Sequence, residues 1–214
     1  SLAFKDCTNL TSSATDNLQF NTTDATSTFQ DTNFNGVVDN WDVSNITNFS
    51  DFFHGSQFNQ ECNNWNISKA TNLSSMFEST PFNKSLSKWD LSSVTNTGSM
   101  FGVNTVFNQD ISMWNVSSLT TAVTMFSGAT AFDKSLASWN VTALTGNQLT
   151  FFGGGSGLST ANYDATLIGW AAQNVNSGVT INFGTSQFTG GGEAEAARTT
   201  LVNKGWTITD GGTA

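Results

Sequence analysis

Residues 107–126 read FNQDISMWNVSSLTTAVTMF: a Phe at each end, one Trp, and polar positions filled largely by Asn, Ser and Thr. The phrase recurs along the chain. Phe34, Phe58, Phe82, Phe107 and Phe132 each open a copy, with Leu158 in the sixth place, so the steps are 24, 24, 25, 25 and 26 residues. Trp41, Trp65, Trp89, Trp114 and Trp139 each follow seven residues later, and Val43, Ile67, Leu91, Val116 and Val141 stand two beyond the Trp. A third column, Phe53, Phe77, Phe101, Phe126 and Phe152, is preceded by Met or Phe and extends back to Phe29 and Phe4. Apolar columns that keep step in this way mark a repeat architecture, in which a unit buries its apolar face only against its neighbours.

Within a unit, NNWNIS (63–68) alternates apolar Trp65 and Ile67 with polar Asn64, Asn66 and Ser68, the period-two pattern of a strand with one buried face. The following KATNLSSMF (69–77) spaces Ala70, Leu73, Met76 and Phe77 by three and four, which predicts a turn and a single helical or 3-10 turn. The expected fold class is an α/β repeat solenoid with one short parallel strand and one short helical turn per unit. It spans residues 1–157 in about six units, the first incomplete, and residues 158–214 form a C-terminal α/β capping segment.

Only 11% of the 214 residues are charged and the net charge is -9, so solubility falls to Asn, Ser, Thr and Gly. Seven basic residues scattered singly make no phosphate-binding stripe, which argues against nucleic acid and anionic membrane as partners. No apolar run reaches the roughly 18 residues of a membrane-spanning helix, so membrane insertion is not expected. The sequence opens without Met or a signal peptide, as expected of a processed or excised chain. This hydroxyl-rich, Lys-poor composition suggests an extracellular or cell-surface setting.

LAFKDCTNL (2–10) is similar to the A-F-x-x-C-x-x-L phrase of BspA-like leucine-rich repeats. The phrase at 107–126 resembles the surface-protein repeat of bacterial lipoproteins, F-N-x-x-[IL]-x-x-W-[DN]-V-S closing on M-F. The resemblance covers about residues 2–157 and lies in spacing, not in any catalytic residue. It implies a right-handed, leucine-rich-repeat-like coil on secreted or surface-anchored proteins that act in adhesion and protein binding. The first unit departs from the pattern, with Leu18 and Phe20 for Trp and Val, and Cys62 stands where Leu or Ile is usual.

From Ser159 the period is lost. STANYDATLIGWAAQ puts Tyr163, Leu167, Trp170 and Ala171 on one helical face, with Ser159 or Thr160 able to cap it. VTINF (179–183) alternates as a strand. EAEAARTTLVNKG reads as a helix with acidic residues in its first turn and Gly205 to end it, and WTITD (206–210) alternates again. Strand, helix, strand favours parallel pairing, as a terminal cap needs.

One His and two Cys at unrelated phases supply neither a catalytic triad nor a zinc site. The chain is therefore expected to be non-enzymatic and without cofactor or metal, with His54 a surface residue. Cys7 and Cys62 fall two rungs apart; at roughly 4.8 Å per rung that exceeds the roughly 7 Å limit on bridged Cα atoms, so two buried free thiols are expected. The candidate binding face is the outward pair of columns Asp42, Asn66, Asp90, Asn115, Asn140 and Ser44, Ser68, Ser92, Ser117, Thr142, stacked as ladders that suit a protein or glycan ligand. Ice binding is a distant third reading, because it favours Thr columns and only Thr142 supplies one here.

Nine N-x-[ST] sequons, at Asn9, Asn21, Asn45, Asn48, Asn66, Asn72, Asn83, Asn115 and Asn140, are possible glycan sites, though the repeat itself generates the pattern. Leu2, Phe4 and Leu10 would top an unsealed first rung. Docking of another copy there, head to tail, would build an extracellular filament, the alternative to adhesion.

Overall fold

The structure, a computed structural model, describes residues 3–9 and 18–214. Its regular elements are β1 (Phe126–Ser127), β2 (Asn147–Gly153), α1 (Thr160–Ala171), β3 (Thr180–Phe183), α2 (Glu193–Asn203) and β4 (Thr207–Thr209). The four strands form one sheet in the order β1-β2-β3-β4, parallel throughout. This is an α/β arrangement, and the two helices, two strands and Gly205 of the tail fall where the alternation and cap signals put them. Gly205 ends α2 at φ +93°, a left-handed turn that a glycine takes without cost. Ser159 precedes α1 but makes no side-chain cap; its hydroxyl donates to Asp133 Oδ1 at 2.9 Å.

Upstream of β1 the units pair through isolated parallel bridges, Asp24 to Asn48 to Asn72 to Asn96 to Thr121, each one repeat apart. Around them runs a regular set of bonds. Phe49, Asp51, Phe53 and Gly55 donate their N–H groups to Asn72, Ser74, Met76 and Glu78 of the next unit at 2.8–3.1 Å, and Leu73, Ser75, Phe77 and Ser79 repeat this toward Asn96, Gly98, Met100 and Gly102. The residues between them turn back locally, with Phe52, His54 and Ser56 donating to Phe49, Asp51 and Phe53. Two expectations are corrected here. The inter-unit pairing runs through NLSSMFES (72–79), the segment read as a helical turn, and the Trp phrase (Trp65–Ile67) has no strand. Among the described residues no helix precedes α1.

The physical reason lies in the backbone. Ser27, Asp51, Ser75, Ser99, Thr124 and Thr150 all sit at φ between 53° and 58°, and four residues on from the first five come Asp31, Gly55, Ser79, Val103 and Gly128, again at positive φ. Two left-handed residues per unit break any helix, and they swing alternate N–H groups toward the neighbouring unit. Non-glycine residues take this conformation at about 1–2 kcal/mol each, a cost that the inter-unit bonds offset.

The core is the set of columns read from the sequence. Trp65, Trp89 and Trp114 are each 3% exposed, so the indoles are buried. Each Phe pair within a unit stacks closely, at 3.7 Å for Phe53–Phe58 and 3.8 Å for Phe101–Phe107. Between units the rings follow at 5.8 Å for Phe58–Phe82 and 6.0 Å for Phe107–Phe132. Burying such side chains stabilises by about 1.5–3 kcal/mol each. The Trp N–H groups tie units together as well: Trp65, Trp89, Trp114 and Trp139 donate to the carbonyls of Val38, Cys62, Leu86 and Ile111 at 2.8–3.0 Å.

Trp170 on α1 makes the corresponding bond to Leu136 at 2.8 Å, so the tail meets the last repeat through the contact the repeats use among themselves. Gly169 permits this approach, because any side chain there would strike the Ala137 carbonyl.

Candidate functional site

Asp42, Asn66, Asp90, Asn115 and Asn140 are all exposed, and of the hydroxyl column Ser68 is exposed while Ser44, Ser92, Ser117 and Thr142 are half-buried. Each acidic or amide side chain folds onto its own unit. The Oδ1 atoms of Asp42, Asn66, Asp90, Asn115 and Asn140 accept the N–H of Ser44, Ser68, Ser92, Ser117 and Thr142 at 2.9–3.2 Å. Three of these oxygens also accept the hydroxyl, from Ser44 at 2.6 Å, Ser68 at 2.8 Å and Thr142 at 2.7 Å. The Ser44 hydroxyl and N–H hold the Asp42 carboxyl below its usual range. Among the described residues no side-chain bond joins one member of either column to the next, so the expected ladder between units is absent here. Asn, Asp and Ser instead close Asx turns, the local bond these short side chains favour.

Ladders between units do exist, at other phases. The side-chain oxygens of Asn35, Asn59, Asn83 and Asn108 accept the N–H of Asn59, Asn83, Asn108 and Asp133 at 2.8–3.1 Å, which explains the Phe-Asn that opens each phrase. Asp133 ends the row. Burial pushes its carboxyl up, but Asn162 and Ser159 donate to it and the net shift is downward. A second amide row links Asn72 Nδ2 to Asn48 Oδ1 at 3.0 Å and Asn48 Nδ2 to Asp24 Oδ1 at 3.3 Å.

A threonine column also runs the length of the repeats. The hydroxyls of Thr47, Thr71, Thr95 and Thr120 donate to the carbonyls of Thr23, Thr47, Thr71 and Thr95 at 3.0–3.2 Å. This corrects the expectation that Thr142 stands alone. The column was legible at the repeat period, in the -T that closes DVSNIT, NISKAT, DLSSVT and NVSSLT; it lies outside the alternating phrase, where the search for outward residues ended. Near its start, Asn21, Thr22, Thr23 and Asn45 line an open recess of about 280 Å³ with no titratable group.

The sequons divide by environment. Asn9, Asn21, Asn45, Asn66, Asn115 and Asn140 are exposed, whereas Asn48, Asn72 and Asn83 are half-buried members of the two amide rows. Of the proposed assembly end, Phe4 is 40% exposed and stacks on Phe29 at 5.3 Å; Leu2 and Leu10 lie outside the described residues.

Both cysteines are free. Cys62 is buried, which pushes its thiol up, but Cys7 is exposed, contrary to expectation. His54 is half-buried, not a simple surface residue: its Nδ1 atom is enclosed without a hydrogen-bond partner, 3.8 Å from Asp31 Oδ1. Among the described residues no three His, Cys, Asp or Glu side chains gather where they could hold a metal. No described helix is long and apolar enough to cross a membrane.

With this geometry in view, the class of protein follows from comparison. The chain matches the family described as Mycoplasma protein of unknown function, DUF285, over residues 1–84 and 78–166, and it belongs to that family. Searches of curated proteins and of solved structures returned no match.

Proposed function

We propose that the chain is a non-enzymatic repeat protein of the solenoid type, right-handed like the BspA-like leucine-rich repeats it resembles, that works outside the cell in surface adhesion by binding a protein or glycan. The observation that carries this reading is the exposed row Asp42, Asn66, Asp90, Asn115 and Asn140, which presents one polar group per unit on a backbone whose register is set by parallel bridges. An array of that kind binds by many weak contacts spread along its length, the way stacked repeats usually recognise partners. Each Oδ1 is occupied within its own unit, so the second carboxylate oxygen or the amide nitrogen is the atom left to face a ligand.

The test is a triple substitution, Asn66→Lys, Asp90→Lys and Asn115→Lys, assayed by surface plasmon resonance against immobilised glycoproteins and polysaccharides. The expected result is loss of capture with an unchanged circular dichroism spectrum. Capture that persists in the triple variant removes this face as the binding site.

A further inference from the structure

We infer that Asn35 is a self-modification site, at which the folded chain converts its own asparagine to aspartate and isoaspartate through a cyclic succinimide formed with Gly36, water being the co-reactant. Ring closure needs the backbone N–H of the following residue to reach the side-chain amide carbon, and glycine, which has no Cβ, obstructs this least. Asn35-Gly36 is the one Asn-Gly of the sequence, and Asp210-Gly211 is the one Asp-Gly. Asn35 is exposed and opens the first amide row. Its Oδ1 accepts the Asn59 N–H at 2.8 Å and Gln60 Nε2 at 3.2 Å. Two donors on one carbonyl oxygen draw electron density from Cγ, and they are in place to hold the negative charge that gathers on that oxygen when a nucleophile adds. Gly36 is buried, yet its N–H bonds to no other described residue. An enclosed N–H without a partner is costly, and the electrophile to which this one is tethered is Asn35 Cγ.

Two other places each share half of this arrangement. Asn83 Oδ1 also accepts two donors, the Asn108 N–H at 3.1 Å and Gln109 Nε2 at 2.9 Å, but the residue after it is Lys84, whose side chain obstructs ring closure. Asp210 is followed by glycine, but the Gly211 N–H is spent on the Ser186 carbonyl at 2.8 Å. Asp210 Oδ2 is itself held by Arg198 Nε at 2.8 Å and by the Tyr163 hydroxyl at 2.7 Å. Asn35 combines what these two divide: a polarised carbonyl, and a following glycine whose N–H is not engaged among the described residues.

The reaction balances without oxidant or reductant. The Gly36 nitrogen bonds to Asn35 Cγ and gives its proton to hydroxide, while the Cγ–Nδ2 bond breaks and Nδ2 takes a proton from water and leaves as ammonia. Water then adds to the ring. Opening at Cγ leaves aspartate, and opening at the backbone carbonyl leaves isoaspartate, with the main chain running through Cγ. The aspartate fits the slot: Asp133, at the far end of the same row, accepts the Ser159 N–H at 2.9 Å as Asn35 accepts that of Asn59. The isoaspartate lengthens the main chain by one carbon and displaces the first link of the row.

The experiment is incubation of the whole chain at mildly alkaline pH, folded in buffer and unfolded in guanidinium chloride. Peptide mapping by mass spectrometry then follows the mass change of the Asn-to-Asp exchange, with isoaspartate told apart by electron-transfer fragmentation. In the folded chain Asn35 is expected to react at least about tenfold faster than Asn83, and Asp210 to isomerise only after unfolding. Gly36→Ala is expected to slow the reaction at Asn35 at least about tenfold. Lys84→Gly supplies Asn83 with the missing half and is expected to bring it up to the Asn35 rate, with an unchanged circular dichroism spectrum. Reaction at Asn35 seen only in guanidinium chloride, or equal rates at Asn35 and Asn83, overturns the inference. So does a Gly36→Ala chain that reacts as the parent does, or a folded Lys84→Gly chain in which Asn83 stays intact.

Discussion

The repeats and the tail solve one problem with different means. Between residues 18 and 145 the described chain forms no helix and, apart from the two residues of β1, no strand, only single bridges and turns, yet Phe49, Phe53, Phe77, Phe101 and Phe107 are completely buried. From residue 147 onward, strands β2, β3 and β4 alternate with α1 and α2; the helices satisfy their backbone groups internally and the strands pair with one another. A unit with an identical neighbour can leave its backbone groups to that neighbour, because the partner's carbonyls arrive at the right height every 24 or 25 residues. The tail has no such copy. It closes with helices that satisfy themselves and with a partly buried ion pair, Arg198 Nε to Asp210 Oδ2 at 2.8 Å, which Tyr163 joins through its hydroxyl at 2.7 Å. Regular secondary structure is thus one way to satisfy backbone groups, and repetition is another.

The largest test of this contrast is Trp89→Ala in the repeats. Trp89 is 3% exposed and its indole N–H holds the Cys62 carbonyl, so its removal is expected to cost about 3–5 kcal/mol in urea denaturation. A change under about 1 kcal/mol would dissolve the column as the basis of repeat stability.

Next in size comes Arg198→Ala in the tail. It strands Asp210, 4% exposed, and is expected to cost about 2–3 kcal/mol, less than a fully enclosed pair because Arg198 is itself 26% exposed. Native-state hydrogen exchange should then show faster exchange in α1 and α2 with the Phe columns unaffected. Equal acceleration in both regions would mean that the two are not separate in their means of support.

Val103→Gly is a smaller effect of the opposite sign. Val103 is a β-branched residue at φ +56° and is 56% exposed, so glycine relieves strain and loses little burial. The expected gain is about 0.5 kcal/mol after the entropy cost of glycine in the unfolded chain, read as a higher urea midpoint. A loss of stability would contradict the left-handed position as a source of strain.

Acid gives the smallest signal. The Asp133 carboxyl titrates below the ordinary value of 3.8, so its contribution is present above that value and is lost as pH falls through the lowered folded one. Asp133→Asn keeps the acceptor oxygen found in the other units and should flatten this part of the acid denaturation curve. An acid limb identical in both chains would remove Asp133 as the pH-sensitive junction of repeat and tail.

Much of this was readable beforehand. The three apolar columns named buried residues except at their start, where Trp41 is half-buried and Phe4 is 40% exposed, and the tail's helices and strands follow from the spacing of Tyr163, Leu167 and Trp170 and from the alternation of Val179, Ile181 and Phe183. The local path inside a unit was not. Leu73, Met76 and Phe77 stand at helical spacing, but that spacing arises here because Ser75 and Ser79 turn the chain through left-handed conformations, and serine carries no strong signal for that. The candidate face was legible as residues, not as bonds: Asn66 was expected to reach Asp42 and Asp90, and it bonds to Ser68.

By itself the sequence determined the period, the residues that line the interior, the order of the tail's elements and the composition of the outer columns, because each depends only on which side chains recur at which interval. Only the tertiary structure decided which segment pairs with the next unit, that the repeat threonine hydroxyls bond to the carbonyl of the preceding threonine, and that Cys7 is exposed while Cys62 is buried. The pairing of units depends on distances between groups about one repeat apart, and a hydrogen bond forms with the partner that the surrounding packing brings within about 3 Å.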